Sequence, residues 1–174
     1  GTHILSCGEI KDDSFGKENL LNEITEINSK DFAVINDERG DIMKKAIITA
    51  EKNGDSLGGI LETCIYGLPG GYGEPFFDSI ESRVSHAVFS IPSVKGIEFG
   101  DGFSFADKTG SQVADEFVFD DNEIVTKENH NGGINGGITN GMPVIMRLAF
   151  KPVPTINKDL NSVNLETHKE AISH

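Results

Sequence analysis

The sequence predicts an α+β fold, an antiparallel sheet covered by long helices. Two segments, 36–54 and 76–91, space their apolar residues as helices do. Four others, 1–10, 56–66, 94–99 and 142–150, have strand length and strand-like alternation. Wide connections rich in Gly and Pro join them. The passage from 56 to 99 admits a parallel crossover, but connections this wide favour antiparallel pairing.

Residues 1–10 (GTHILSCGEI) read as a strand, and the polar stretch 11–36 as a loop or short helix. The first long helix runs from Asn36 to Gly54. Asn36 or Asp37 caps it, Glu38 and Asp41 lie in its early turns, and Asn53-Gly54 ends it. Ile42, Ala46, Ile47 and Ala50 form its predicted buried face. In the strand 56–66, Leu61, Thr63 and Ile65 face one side, and Ile60, Glu62, Cys64 and Tyr66 the other. Residues 67–75 hold four glycines and two prolines, so they form a loop.

The second helix, 76–91, takes Asp78 as its cap and Ile80, Val84, Ala87, Val88 and Ile91 as its buried stripe. Pro92 stops it. Residues 94–99 form a short strand. Residues 101–135 are a polar excursion, with 104–128 as a flap; Phe103, Phe105, Phe117, Val118 and Phe119 suggest that it packs locally. The strand 142–150 places Val144, Met146, Leu148 and Phe150 on one face, with Ile145, Arg147 and Ala149 on the other. Lys151 to Thr155 close it as a rigid turn. The whole chain reads as a single domain, with a core module at 37–156 and a polar tail at 157–174.

Composition narrows the function. Fifteen basic and 28 acidic side chains among 174 residues give a net charge of −13. Binding nucleic acid through its phosphates requires clustered Lys and Arg, so that class is excluded. Docking on an anionic membrane is disfavoured for the same reason. No apolar run approaches the roughly 20 residues of a membrane span, and no segment has the layout of a signal peptide. Cys7 and Cys64 match no metal spacing and read as small buried hydrophobes of a reducing cytoplasm. Arginine is scarce: Arg39, Arg83 and Arg147 are the whole set.

Few residues stand out chemically. No two histidines lie at metal-ligand spacing, and no metal site is expected. His86 lies beside the apolar helical stripe and reads as packed or half-exposed. His168 and His174 sit in the tail. His130 lies in the Gly-rich run Asn129 to Gly141, which reads either as a tight hairpin or as a backbone surface open to a flat or phosphorylated ligand. Lys151-Pro-Val-Pro-Thr155 puts a cation on a stiff backbone. It is either an edge-strand terminator or a preset anion or cofactor contact. Glu98 and Asp101 flank a turn and read as solvated.

Five motifs occur in order: Asn53-Gly-Asp-Ser-Leu-Gly-Gly59, Gly67-Leu-Pro-Gly-Gly-Tyr-Gly-Glu-Pro75, Val94-Lys-Gly-Ile-Glu-Phe-Gly-Asp-Gly-Phe103, the run Asn129 to Gly141, and Lys151-Pro-Val-Pro-Thr-Ile156. Each alone is weak. Together, in this spacing, they resemble chorismate synthase, most strongly over residues 53–156.

The resemblance implies about one half of that family's β-α-β sandwich. It also implies conversion of 5-enolpyruvylshikimate 3-phosphate to chorismate by 1,4-elimination of phosphate, the last step of the shikimate pathway. Reduced FMN would be the cofactor, with NADPH a candidate reductant. The parent would be a cytoplasmic homotetramer. Family flavin contacts fall on Pro92, Ser93, Gly136, Lys151, Pro152, Val153, Pro154 and Thr155. Pro92 stands where Asn is usual, Tyr72 where Leu is, and Asn131 where a small residue is commoner.

The family's Gly-Glu-Ser-His-Gly, Arg-Ser-Ser and Arg-His-Asp-Pro segments are not in this sequence. They carry the catalytic histidines and most of the arginines. The expectation is therefore a central fragment with no catalytic residue of its own, inactive alone. A phosphorylated dicarboxylate needs several guanidinium groups, which three scattered arginines do not provide. The alternative is a non-catalytic structural or self-association module built on the same fold.

Overall fold

The computed structural model describes residues 1–17, 19–120 and 122–173. Its centre is one five-stranded antiparallel sheet. β1 (Thr2–Cys7) and β2 (Ile10–Lys11) form a hairpin, turned by Gly8 at φ +57°. Then come α1 (Leu20–Ile27), α2 (Asp37–Lys52), β3 (Gly59–Ile65), α3 (Ile80–Val88) and β4 (Val94–Phe99). Two 3₁₀ turns, Gly102–Asp107 and Gly110–Gln112, lead into the hairpin of β5 (Phe117–Asp120) and β6 (Glu123–Thr126). A two-residue pair, β7 (Ile134–Asn135) and β8 (Ile138–Thr139), precedes β9 (Val144–Phe150). The hairpin of β10 (Leu160–Asn164) and β11 (Lys169–Ser173) follows.

The strand order is β2-β1-β3-β9-β4. β9 pairs antiparallel with both β3 and β4, so those two strands point the same way without touching. The β3-α3-β4 passage is thus a crossover whose gap is filled by a strand from about 45 residues later in the chain. This satisfies both expectations: the passage crosses over, yet every ladder is antiparallel.

Register sets the two faces. His3 pairs with Glu62, Glu62 with Arg147, and Arg147 with Glu98, so one row of titratable side chains crosses four strands on one face. The next row, Ile4, Leu61, Leu148 and Ile97, points to the other face. Val144, Met146 and Leu148 are buried there, as the strand alternation predicts. Both cysteines are buried, and burial pushes the Cys64 thiol up to about 11.

Asn36 caps α2: its Oδ1 accepts from the Glu38 and Arg39 N–H groups. The buried face of α2 differs from the predicted one. Gly40 and Met43 are buried, while Ile42, Ile47 and Ile48 stay exposed. Gly40 explains the rotation. A Cβ there would meet Val34 Cγ2 at 2.6 Å, so the missing side chain lets Val34 and the sheet close in on that side. Met43 then fills the core with Cys7 and Val34, against Ile4, Ile10 and Phe32.

The second helix is shorter than its apolar period suggests. Ser79, in extended conformation, caps α3 through its Oγ on the Ser82 N–H, and the Ile80 N–H donates to the Gly137 carbonyl. The chain before it, Phe76 and Phe77, is thereby left outside the helix and exposed. No residue of α3 is fully buried, and His86 is exposed rather than packed. The flap expectation also changes. The 101–128 excursion is a pair of 3₁₀ turns and a hairpin whose Phe103, Phe117 and Phe119 are 83%, 69% and 72% exposed. Its strands pair with each other and not with the central sheet; Thr126 at the end of β6 is buried, while the aromatic side chains of β5 stay exposed. The 157–173 tail is a hairpin, and His174 lies outside the described residues. Among the described residues no helix is long and apolar enough to cross a membrane.

Met43 is 0% exposed at the centre of the small α2 core. Met43→Ala leaves a cavity there, and chemical denaturation is expected to show a loss of about 2 to 5 kcal/mol.

Candidate functional site

The sequence-predicted residues fall in two places. At the first, β9 runs out at Phe150 and Lys151 to Thr155 continue as an extended strap with all five residues exposed. The Lys151 N–H donates to the Ser93 carbonyl at 2.9 Å, which joins the strap to the Pro92-Ser93 corner after α3. Ser93 holds φ +74°, a conformation that turns the chain sharply from α3 into β4. The Ser56 Oγ donates to the Val153 carbonyl at 2.7 Å. Lys151 and Thr155 are thus exposed on a strap that is joined to the half-buried Ser93 corner.

Gly136 lies elsewhere. It is exposed at the two-residue turn between β7 and β8, with φ +58°, and nothing lies within 4 Å of where its Cβ would be. This turn sits at the N-terminal end of α3, through the Ile80-to-Gly137 hydrogen bond. Ser93 and Lys151 lie beyond its C-terminal end. Nine helical residues span about 13 Å, so the two groups suit an elongated ligand and not a compact one.

The Asn129 to Gly141 run contains the tight hairpin, with Gly136 and Gly137 supplying its positive φ angles. Asn129 fastens its base: its side chain accepts from the Gly133 N–H and donates to the Pro143 carbonyl. His130 points away from the hairpin, with its Nδ1 2.7 Å from Asp101 Oδ2.

On the sheet face opposite the α2 core lies a cavity of about 390 Å³, which sequence reasoning missed. Phe15, Lys17, Glu62, His130 and Arg147 are among its walls. Glu62 is 1% exposed and fully engaged. It accepts from Arg147 Nε at 2.8 Å, His3 Nε2 at 3.1 Å and the Phe15 N–H at 2.9 Å. Burial alone would raise its pKa. The His3 and Phe15 hydrogen bonds and the Arg147 charge outweigh burial and hold the carboxyl below its ordinary value.

The network reaches further. Arg147 Nη1 also donates to Glu98 and to the Gly100 carbonyl. His3 Nδ1 faces Asp12 at 3.4 Å, and Asp12 accepts from the Ile35 and Asn36 N–H groups at the entry to α2. Glu98 and Asp101 are therefore not a solvated turn. Glu98 holds Arg147 and the Phe103 N–H, while Asp101 holds His130 and Lys108. Burial would raise the Asp101 pKa, but its side-chain hydrogen bonds with Lys108 and His130 outweigh burial and keep it low. A signal for this row was present in the sequence: an acid and a base, each at the middle of an apolar strand of equal length.

A family model described as chorismate synthase matches residues 2–174. The chain belongs to the chorismate synthase family. It is 48% identical over 128 residues to a chorismate synthase of Pyrococcus abyssi, covering 74% of this chain and 36% of that protein. It is 40% identical over 176 residues to one of Bacillus pumilus, covering 98% of this chain and 44% of the relative. A crystal structure of chorismate synthase superposes with a TM-score of 0.81 at 33% identity, over 89% of this chain and 49% of that one. The chain thus spans half or less of the length of the family members it matches.

The Glu62 charge makes a signed pH prediction. Its folded pKa lies below the ordinary value of 4.5, so its stabilisation is present above about 4.5 and is lost as pH falls through the lower folded value. Glu62→Gln is expected to cost about 3 kcal/mol at neutral pH by leaving Arg147 under-compensated. It should also flatten the acid limb of the stability curve. Urea midpoints measured from neutrality down through the carboxylate range check both effects.

Proposed function

We propose that this chain supplies the flavin-side part of a chorismate synthase. The reaction is the 1,4-elimination of phosphate from 5-enolpyruvylshikimate 3-phosphate, the last step of the shikimate pathway. Phosphate and a proton leave, one carbon–carbon double bond forms, and no net redox change occurs. Reduced FMN, when bound, supplies transient electron density to this elimination. NADPH is a candidate source of the reducing equivalents. We further propose that the complete enzyme is a cytoplasmic homotetramer, and that residues 37–156 are the core module of the segment.

The observation that carries this reading is the pinned strap. Its donor set fits the phosphate end of a flavin mononucleotide: Lys151 offers a cation and Thr155 a hydroxyl, both open to solvent, on a backbone stiffened by Pro152 and Pro154. Pro92 has no side-chain donor, so the corner beside it contributes through the Ser93 backbone. Gly136, with no side chain and free space around it, suits close backbone approach at the other end. The elongated separation of the two groups agrees with a ligand that carries its phosphate and its ring at opposite ends.

Among the described residues the three arginines stand apart, Arg39 on α2, Arg83 on α3 and Arg147 on β9. Arg147 is committed to Glu62, Glu98 and the Gly100 carbonyl. Binding the phosphorylated dicarboxylate and moving its proton therefore belong to other parts of the enzyme.

Two measurements test the reading. The full-length protein, with reduced FMN under anaerobic conditions, should form chorismate, and the 174-residue chain alone should form none. Product from the short chain, or none from the full-length protein, overturns it. Lys151→Ala in the full-length protein should weaken FMN binding by about tenfold or more, the effect of losing one charge-assisted contact, as read by flavin fluorescence titration.

A further inference from the structure

The strap cannot be held the way a strand is held. Pro152 and Pro154 have no N–H, so two of the donors that would continue the β9 ladder are missing. The chain is fastened at three separate points instead. At its start, the Lys151 N–H donates to Ser93. Just beyond its end, the Asn157 N–H donates to the Gly54 carbonyl at 2.9 Å, and the Lys158 ammonium pairs with Asp55 beside it. In the middle, the Ser56 hydroxyl donates to the Val153 carbonyl at 2.7 Å.

Two of these three fastenings come from one short segment, residues 53–58, which joins α2 to β3. Its glycines permit the close approach. A Cβ on Gly54, which holds φ +66°, would run into the Asn157 carbonyl oxygen. A Cβ on Gly58 would meet the Phe150 carbonyl oxygen at 2.8 Å and Pro152 Cδ at 3.0 Å. The segment thus lies directly against the strap, and Ser56 is the one side chain it extends to the strap's centre among the described contacts.

We propose that Ser56 is a positioning residue for flavin binding: its hydroxyl fixes the Val153 carbonyl and so sets the placement of Lys151 and Thr155. The residue acts on the ligand only through the strap, by way of the Val153 carbonyl, and does not touch it. The inference rests on the flavin reading above.

The test compares Ser56→Ala and Ser56→Thr in the full-length protein. Ser56→Ala is expected to weaken FMN affinity about fivefold, the loss of one neutral hydrogen bond. It should also speed amide exchange at Lys151 and Asn157, the two hydrogen-bonded N–H groups that fasten the strap, with little change in Tm. Ser56→Thr keeps the hydroxyl and is expected to restore the affinity and the protection. Wild-type affinity in Ser56→Ala, or a lowered Tm with affinity and exchange unchanged, overturns the positioning role. Failure of the wild-type protein itself to bind FMN overturns the flavin reading and this inference together, an outcome distinct from a variant that binds as well as wild type.

Discussion

One row of titratable side chains governs the sheet. His3, Glu62, Arg147 and Glu98 stand opposite one another on β1, β3, β9 and β4. A slip of one residue in any of these ladders would move a carboxylate or a guanidinium to the apolar face, where Met146 and Leu148 are buried. A charge buried without a partner costs several kcal/mol, so the row specifies register more than it adds stability. β9 depends on it most. That strand arrives after a long polar excursion and must insert between β3 and β4 in one alignment only.

The row also joins parts of the molecule that hydrophobic packing leaves separate. At one end Asp12, facing His3, accepts both backbone N–H groups at the entry to α2. At the other end Arg147 reaches the Gly100 carbonyl, next to Asp101 and its partners His130 and Lys108. The start of the helical layer and the Gly-rich loops are thus tied to the same strands. Inside a low-dielectric sheet such hydrogen bonds gain strength, and each becomes costly to leave unmade.

Other surfaces of the molecule are more open. α3 buries no residue fully, Ile42, Ile47 and Ile48 of α2 face outward, and the β5–β6 and β10–β11 hairpins carry exposed Phe117, Phe119 and Val163. These surfaces belong to a chain that matches half or less of its relatives' length. The strap after β9 is exposed too, held by backbone and hydroxyl contacts because its prolines exclude a ladder. Its side chains consequently stay free for a ligand.

The sequence by itself determined the local elements and the family. Period and capping placed α2, β3, β4 and β9 within a few residues, because alternation and an Asn N-cap act over short distances. The spacing of the glycine and proline motifs, Asn53 to Gly59 through Lys151 to Ile156, carried the family resemblance. Only the tertiary structure decided which side of α2 is buried, since Gly40 matters by what it admits and not by its own hydrophobicity. It alone decided that Ser79 and not Asp78 caps α3, because a hairpin 55 residues away supplies the carbonyl for Ile80. It alone brought Glu62 to Arg147, 85 positions apart, and Ser56 to Val153, 97 apart. Periodicity reports which face a side chain takes. Which partner waits on that face depends on strand order, and strand order is a property of the folded chain.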